Sequence, residues 1–446
     1  MDVGSSSRVL VVGLGRSGVA AARLAAADGA RVTATDQRPE TELGAALDRL
    51  PASADRFVGG HPASCLDGVD LVVVSPGVAP GVELLRLARE RGVEVVTEVE
   101  FAWRHRPDAP LAAVTGSNGK STVTTLIADM LRAAGLAAAA GGNLGTAASE
   151  LVLQGGWDCW VLEISSFQAE LLTAMAPTAA VFLNLSQDHL ERHPDLDAYL
   201  AAKRRLFAFQ GPGDTAVLNA DDPASAGTAT VAGRRLFSLD RPADAWLDGD
   251  RLVVDGAELT TAGRVRVAGT HNLANVLAAA LAAESLGAGR DAIAAAAEAF
   301  DGLPHRHRTV HEADGVRFVD DSKATNVGAT LAALRGYPDR ALHLILGGQA
   351  KGQDFSVLAA EVRRAAVRLY VIGVDGPAIA DALAGSAPVE RCGTLAEAVS
   401  RARAAAAPGQ VVLLAPACAS FDQFTGYDQR GDVFAALARE EVPACP

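Results

Sequence analysis

Short, almost wholly apolar runs alternate along the chain with longer stretches in which apolar positions return every three or four residues. That is the pattern of buried parallel strands joined by amphipathic helices. The first unit reads as a strand over 9–12, a turn carrying Gly13, Gly15 and Gly18, a helix over 19–27 and a second strand over 32–35 that ends at Asp36. A strand over 70–75 closed by Pro76-Gly77, a helix over 83–91 and a strand over 93–96 extend it, and the charged, proline-bearing stretch 104–110 reads as a connector. Behind the connector a strand over 111–114 runs into a glycine loop and a helix over 123–134. Strands over 159–163 and 179–185, smaller β elements at 216–218 and within 251–267, and helices over 272–286 and 291–300 follow. A third alternation begins near Pro304, with strands over 316–319, 342–346, 369–372 and 411–414 and helices between them. The alanine runs 137–140 and 292–297 favour helix by composition. The expected architecture is α/β in three domains: a Rossmann-like first domain over 1–103, a central phosphate-loop domain over 104–303 and a Rossmann-like third domain over 304–446.

Composition narrows the setting. With 49% hydrophobic and 21% charged residues the chain can bury large cores. No run approaches the roughly 18 unbroken apolar residues of a membrane span, and the start, Met1 to Arg8, lacks a basic segment leading into an apolar one, so neither a membrane helix nor an ordinary signal peptide is expected. Five cysteines lie far apart with no CxxC pair, which argues against a disulfide framework and a thiolate zinc site and for the cytoplasm. A net charge of −13 repels a phosphate backbone, so nucleic acid is not an expected partner. Among 40 basic residues only Lys120, Lys203, Lys323 and Lys351 are lysines. A position that stays lysine in an arginine-biased chain is a candidate for chemistry a guanidinium cannot do.

Gly13-x-Gly15-x-x-Gly18 followed by Asp36 matches the dinucleotide fingerprint of tight turn, close backbone approach and helix packing, and Arg16 and Arg38 beside it suit a phosphate or a base. On these residues alone NAD, FAD, another nucleotide, or a turn that merely packs strand on helix all remain open. The second loop, Thr115-Gly116-Ser117-Asn118-Gly119-Lys120-Ser121-Thr122, frees backbone amides for a phosphate, adds the Lys120 charge, and sets Ser121 where it can reach a magnesium ion at a helix N-terminus. It lacks the glycine that the usual spacing would put at Val114. Magnesium asks for hard oxygen ligands, and Glu163 ends one strand while Asp188 and His189 follow another. Lys203, among alanines on a helix over 197–207, reads by itself as a surface lysine. In the third domain Asp320 to Asn326, Gly347 to Gly352 and Ala415 to Ser420 each follow a strand, where open α/β sheets bind ligands, and Leu303-Pro304-His305-Arg306 marks a hinge-like boundary.

Together these residues resemble the ATP-dependent Mur ligases, and within them the branch that adds D-glutamate. The short phosphate loop, Leu162 to Gln168, Asp188-His189, Tyr199-x-x-x-Lys203, Asn272 with Asn275, Leu303 to Arg306 and Asp321 to Asn326 all look like motifs of that family, which takes in essentially the whole chain and all four lysines. The resemblance implies an enzyme that joins D-glutamate to UDP-N-acetylmuramoyl-L-alanine through an acyl phosphate, with ATP as substrate and Mg2+ as cofactor, in peptidoglycan precursor synthesis. It implies ATP contacts from Gly116, Ser117, Asn118, Gly119, Lys120, Ser121, Thr122, Asn272, Asn275, Arg306 and Asp321. Magnesium would be held by Ser121, Glu163, His189 and a carbamylated Lys203. Ser17, Asp36, Arg38, Gly77, Asn143, Ser165 and Gln168 would hold the UDP substrate, making the first fingerprint a UDP site. Thr325, Lys351, Ser420 and Tyr427 would receive D-glutamate, with Tyr427 standing where the family pattern leads one to expect phenylalanine. Lys120, Lys203, His189, His305 and Lys323 would be catalytic, and the expected state is a cytoplasmic monomer. The alternatives are another Mur-type or a folylpolyglutamate-type ligase, an NAD dehydrogenase, and a non-enzymatic nucleotide-binding protein.

Overall fold

The computed structural model describes residues 7–143, 145–186, 192–267, 269–350 and 352–440. They fall into two compact units, one holding the described residues of 1–185, 197–262 and 274–298, the other those of 186–196, 263–273 and 299–446. Asp188, His189 and Lys351 lie outside the described residues.

The first unit contains two sheets. One is parallel throughout, in the order Asp55–Val58, Arg31–Asp36, Arg8–Val12, Leu71–Val74, Glu94–Thr97. Residues 9–12 and Leu71–Val74 are unbroken Val and Leu runs because they pack against apolar clusters on both faces, so alternation would leave polar groups buried. The order reverses between Arg8–Val12 and Leu71–Val74, and a crevice opens at the carboxyl ends of strands at such a point. The other sheet has nine strands, with Leu111–Thr115 between Ala179–Phe182 and Cys159–Glu163. Its far edge is an antiparallel hairpin, Arg251–Val254 with Ala257–Thr261, turned by Asp255 and Gly256 at φ 49° and 74°. The helix Glu98–Trp103 joins the two sheets by adding Phe101 to one core and Val99 and Ala102 to the other.

The second unit has a six-stranded sheet in the order Arg308–Ala313, Val316–Asp320, Val411–Leu414, Leu342–Gly347, Ala366–Ile372, Val389–Gly393, antiparallel only at its first pair. Val316–Asp320, Val411–Leu414 and Leu342–Gly347 are neighbours, so the three loops singled out in the sequence leave the same edge of one sheet. The α/β reading of all three segments therefore holds. The edge strands Asp55–Val58, Arg308–Ala313 and Val389–Gly393 have half-exposed or exposed residues and no apolar run, and the sequence pattern missed them.

One expectation is corrected. Residues 292–297 do lie in a helix, Arg290–Ala299, but 137–140 do not: Ala138–Gly142 is an edge strand paired in parallel with Cys159–Glu163. Helix preference amounts to only a fraction of a kcal/mol per residue, and a full ladder beneath the helix Lys120–Ala133 outweighs it. The strand delivers Asn143 to Glu163, whose backbone oxygen accepts from Asn143 N at 2.9 Å.

Candidate active site

A cleft of about 500 Å³ lies at the reversal point of the first sheet. Gly13, Arg16, Ser17, Asp36, Arg38, His61, Ser75 and Gly77 line it from one sheet, and Gly142, Asn143, Ala147 and Gln168 from the other. Its floor is the glycine turn, where a Cβ at Gly18 would fall 1.8 Å from the Gly13 carbonyl while one at Gly15 would meet nothing within 4 Å. Gly18 is thus the packing glycine and Gly15 the one left open toward a ligand. Asp36 is 3% exposed and fully engaged by the chain: Leu14 N donates to it at 2.7 Å, Arg38 N at 2.9 Å, and the Arg38 guanidinium at 2.8 and 3.0 Å. Burial opposes its ionisation, but those hydrogen bonds win and hold its pKa at about 2. Asp36 therefore fixes Arg38 at the mouth of the cleft, a division of labour the fingerprint alone does not reveal. Ser165 caps the helix Ser166–Ala169, accepting from Gln168 N at 3.2 Å, while Gln168 Oε1 accepts from Ser165 N and Oγ at 2.9 Å each. Gln168, which lines the cleft, has its Nε2 buried without a partner.

The phosphate loop follows Leu111–Thr115 and opens the helix Lys120–Ala133, with Gly119 as N-cap at φ 84°. Asn184 fastens the loop: its carbonyl accepts from Ser117 N, its Oδ1 from Asn118 N, each at 2.9 Å, and its Nδ2 donates to Asn118 O at 3.1 Å. Lys120 Nζ donates to Gly116 O at 2.8 Å and Ser117 O at 2.9 Å. Lys203 is 1% exposed, correcting its surface reading, and its Nζ donates to the same Gly116 carbonyl at 2.7 Å while lying 4.3 Å from the centre of the Tyr199 ring. Ser121 Oγ donates to Glu163 Oε2 at 2.5 Å, and Asn143 Nδ2 to Oε1 at the same distance. Hydroxyl and buried carboxylate at a helix N-terminus are the hard oxygen donors that Mg2+ takes, so these residues fit the ion. Among the described residues no three His, Cys, Asp or Glu side chains converge on one metal position. Asn275 stands by the loop as well, its Oδ1 2.6 Å from where a Cβ at Gly119 would sit.

In the second unit the loops after the three neighbouring strands meet around Arg430, which is 0% exposed. Its guanidinium donates to Ser322 Oγ at 2.9 Å, Ser322 O at 2.8 Å and Cys418 O at 3.1 Å, and burial draws its pKa down to about 10. Gln353 ties the loops again, accepting from Val327 N at 2.7 Å and donating to Ala417 O at 3.3 Å. Thr325 lies just before Asn326, the N-cap of the helix Val327–Arg335, and Ser420 is 2% exposed in the last loop. Lys323 Nζ lies 3.8 Å from the centre of the Tyr427 ring, so the aromatic face at 427 does meet a cation. Asp321 Oδ2 stands 3.6 Å from His307 Nδ1. His305, at φ 59°, bonds through Nδ1 to Asp320 Oδ2 at 2.7 Å. Sequence reasoning placed Asp320 in a candidate loop and Asn184 in a polar cluster but gave neither a role, and it gave none to Gln353 or Arg430, because their partners Asn118, Val327, Cys418 and His305 lie well away along the chain.

Family models for a Mur ligase MurD-like N-terminal domain, a Mur ligase middle domain and a Mur ligase glutamate ligase domain match residues 7–97, 114–283 and 305–418. The chain is 45% identical, over 98% of its length and 98% of the relative's, to a UDP-N-acetylmuramoylalanine--D-glutamate ligase of Anaeromyxobacter dehalogenans. It is 43% identical, over 97% of its length and 98% of the relative's, to a ligase of the same name from Myxococcus xanthus. In fold it matches the UDP-N-acetylmuramate-alanine ligase of Thermotoga maritima with a TM-score of 0.63 at 19% identity, covering 98% of this chain and all of that one. With similarity of this order running along nearly its whole length, the chain belongs to the Mur ligase family.

Proposed function

We propose that this chain joins D-glutamate to UDP-N-acetylmuramoyl-L-alanine at the expense of ATP, in the assembly of peptidoglycan precursors. The reaction is the one its full-length relatives are named for, and the observation that carries it is the convergence of Lys120 and Lys203 on the Gly116 carbonyl of a glycine loop at a helix N-terminus. A carboxylate is a poor electrophile, so the γ-phosphoryl group of ATP is first transferred to it, and the amine then displaces phosphate from the acyl phosphate. Lys120 and the amides of Gly116 to Thr122 hold the phosphates, and Lys323 supplies a further cation. Asn272, Asn275, Arg306 and Asp321 hold the rest of ATP. Ser121, Glu163, His189 and a carbamylated Lys203 would hold magnesium, which would supply charge neutralisation on the phosphates. Carbamylation needs an amine that can lose its proton, which lysine offers and arginine does not.

The cleft of the first unit takes the nucleotide sugar through Ser17, Arg38, Gly77, Asn143 and Gln168, with Asp36 orienting Arg38 and Ser165 orienting Gln168. Thr325, Lys351, Ser420 and Tyr427 receive D-glutamate. We place domain boundaries at 103/104 and 303/304 and read the protein as a cytoplasmic monomer; among the described residues no helix is long and apolar enough to cross a membrane. The acyl phosphate gives the test. Incubation with ATP, magnesium, UDP-N-acetylmuramoyl-L-alanine and hydroxylamine, with D-glutamate left out, should yield the hydroxamate of the nucleotide sugar together with ADP. Absence of both would overturn the reading.

A further inference from the structure

His305, which the family resemblance counts as catalytic without saying what it does, forms a carboxylate–imidazole pair with Asp320, to which the resemblance gives no role. Asp320 is 1% exposed and ends the strand Val316–Asp320, and one of its oxygens accepts from Ser322 N at 2.9 Å while the other meets His305 Nδ1 at 2.7 Å. Three features show that the surroundings are shaped to this pair. His305 keeps a left-handed backbone at φ 59°, which a residue with a Cβ adopts only when its neighbours enforce it. Gly431 leaves the space it needs: a Cβ there would lie 2.1 Å from His305 Nδ1 and 2.7 Å from Asp320 Oδ2. The main chain is pinned as well, since Lys323 N donates to His305 O at 3.0 Å. The other ring nitrogen, Nε2, points away from Asp320 and stands 3.7 Å from the exposed Asp432, beyond hydrogen-bond distance.

The ring also sits beside the residues assigned to D-glutamate, its centre 6.2 Å from that of Tyr427, over which Lys323 lies. Resting on the ligase reading, we propose that His305 Nε2 takes the proton from the ammonium group of the incoming amino acid, and that Asp320 is the positioning residue that fixes the ring and its tautomer. The nitrogen keeps the N–H electron pair as its lone pair and uses it to form the C–N bond. The C–O bond to phosphate breaks with its pair going to the phosphate oxygen, and the second proton of the amine leaves with the phosphate. An ammonium holds its proton more tightly than an imidazole does, so a base made stronger by a carboxylate narrows the gap. The groups facing the ring are Asp320 on the strand and Asp428, Asp432 and the Tyr427 ring on the helix Tyr427–Ala438, while the ammonium of Lys323, on the intervening loop, lies over the Tyr427 ring. The Asp320 hydrogen bond pushes the imidazole above its ordinary value of 6.5; burial opposes this, and the charges of Asp320, Asp432 and Asp428 add to it. Only the neutral ring accepts a proton, so turnover rises with pH through a value above 6.5.

The test is the pH profile of kcat/KM for D-glutamate, with kcat and KM resolved, in the full chain and in Asp320→Asn and His305→Gln. Asp320→Asn should move the acid limb down by about one pH unit and lower the plateau several-fold. His305→Gln should abolish the limb and cost about a hundredfold or more in kcat. An unmoved limb in Asp320→Asn, or a His305→Gln enzyme that keeps both limb and rate, would overturn the proposal. Nuclear magnetic resonance titration of the His305 ring, known by its loss in His305→Gln, reads the pair without turnover. A midpoint above 6.5 that falls in Asp320→Asn supports it, and one at or below 6.5 in the unaltered chain overturns it. If the chain released no phosphate with D-glutamate, the ligase reading would fall, and the titration would still decide whether Asp320 strengthens the base.

Discussion

Two lysine nitrogens on one backbone carbonyl are the most informative detail at the scale of single residues. Lys120 reaches Gly116 O from the start of its helix, and Lys203 reaches it from a separate helix while almost wholly buried. A lysine buried there is placed for reaction, not for solvation. Lys203→Ala should lose at least a hundredfold in turnover, and a short carboxylic acid such as formate or acetate should restore part of it while bicarbonate should not. Phosphate release measured with each additive checks this, and full activity in the variant would remove the carbamate from the mechanism. The scarcity of lysine pointed to this residue, but its burial could not be read from a run of alanines. Asp320 was equally hidden, since nothing local says which of two adjacent aspartates meets a histidine fifteen residues away.

Glu98 makes a second prediction at this scale. Its carboxyl is fully buried, accepts from Ser149 N through Oε1, and leaves Oε2 without a partner. Burial pushes its pKa up to about 7, only partly offset by the hydrogen bond from the Ser149 backbone. The folded state therefore binds the proton more tightly than the unfolded one, whose value is near 4.5, and stability falls as pH rises from there through 7. Glu98→Gln keeps the neutral shape, so it should be stabilising at pH 8 by up to about 3 kcal/mol and neutral at pH 4. Denaturant unfolding at the two pH values checks the difference, and an equal effect at both would contradict it.

Among the elements, the glycine turn after Arg8–Val12 separates folding from binding. Gly18→Ala drives a methyl group into the Gly13 carbonyl and should cost more than about 3 kcal/mol, seen as a large fall in Tm. Gly15→Ala meets no atom of the chain, so Tm should hold while the affinity for the nucleotide sugar drops, as isothermal titration would show. Equal effects on Tm would refute this division. The spacing of these glycines was legible because tight turns constrain residue type directly. The edge strand Ala138–Gly142 was not: alanine carries no periodic signal, and only pairing with Cys159–Glu163 decides its conformation. The three polar edge strands were lost for the same reason, since pairing partners lie far along the chain.

Over the whole molecule, a parallel and a mixed sheet in one unit and a third, mixed sheet in the other present loops at strand carboxyl ends, and every described motif residue assigned from the sequence falls at or beside such a loop or the helix that follows it. The α/β class was readable because buried parallel strands are unbroken apolar runs. The function was readable because phosphate loops and metal donors leave fixed residue types at fixed spacings. What the spacings could not supply is the set of residues that hold those loops in place: Asn184, Gln353 and Arg430. The most direct test is phosphate release from ATP in the presence of UDP-N-acetylmuramoyl-L-alanine, with D-glutamate set against L-glutamate, L-alanine and a diamino acid. Release that requires both the nucleotide sugar and D-glutamate is the expected result, whereas release driven by another amine, or none with any, would contradict it.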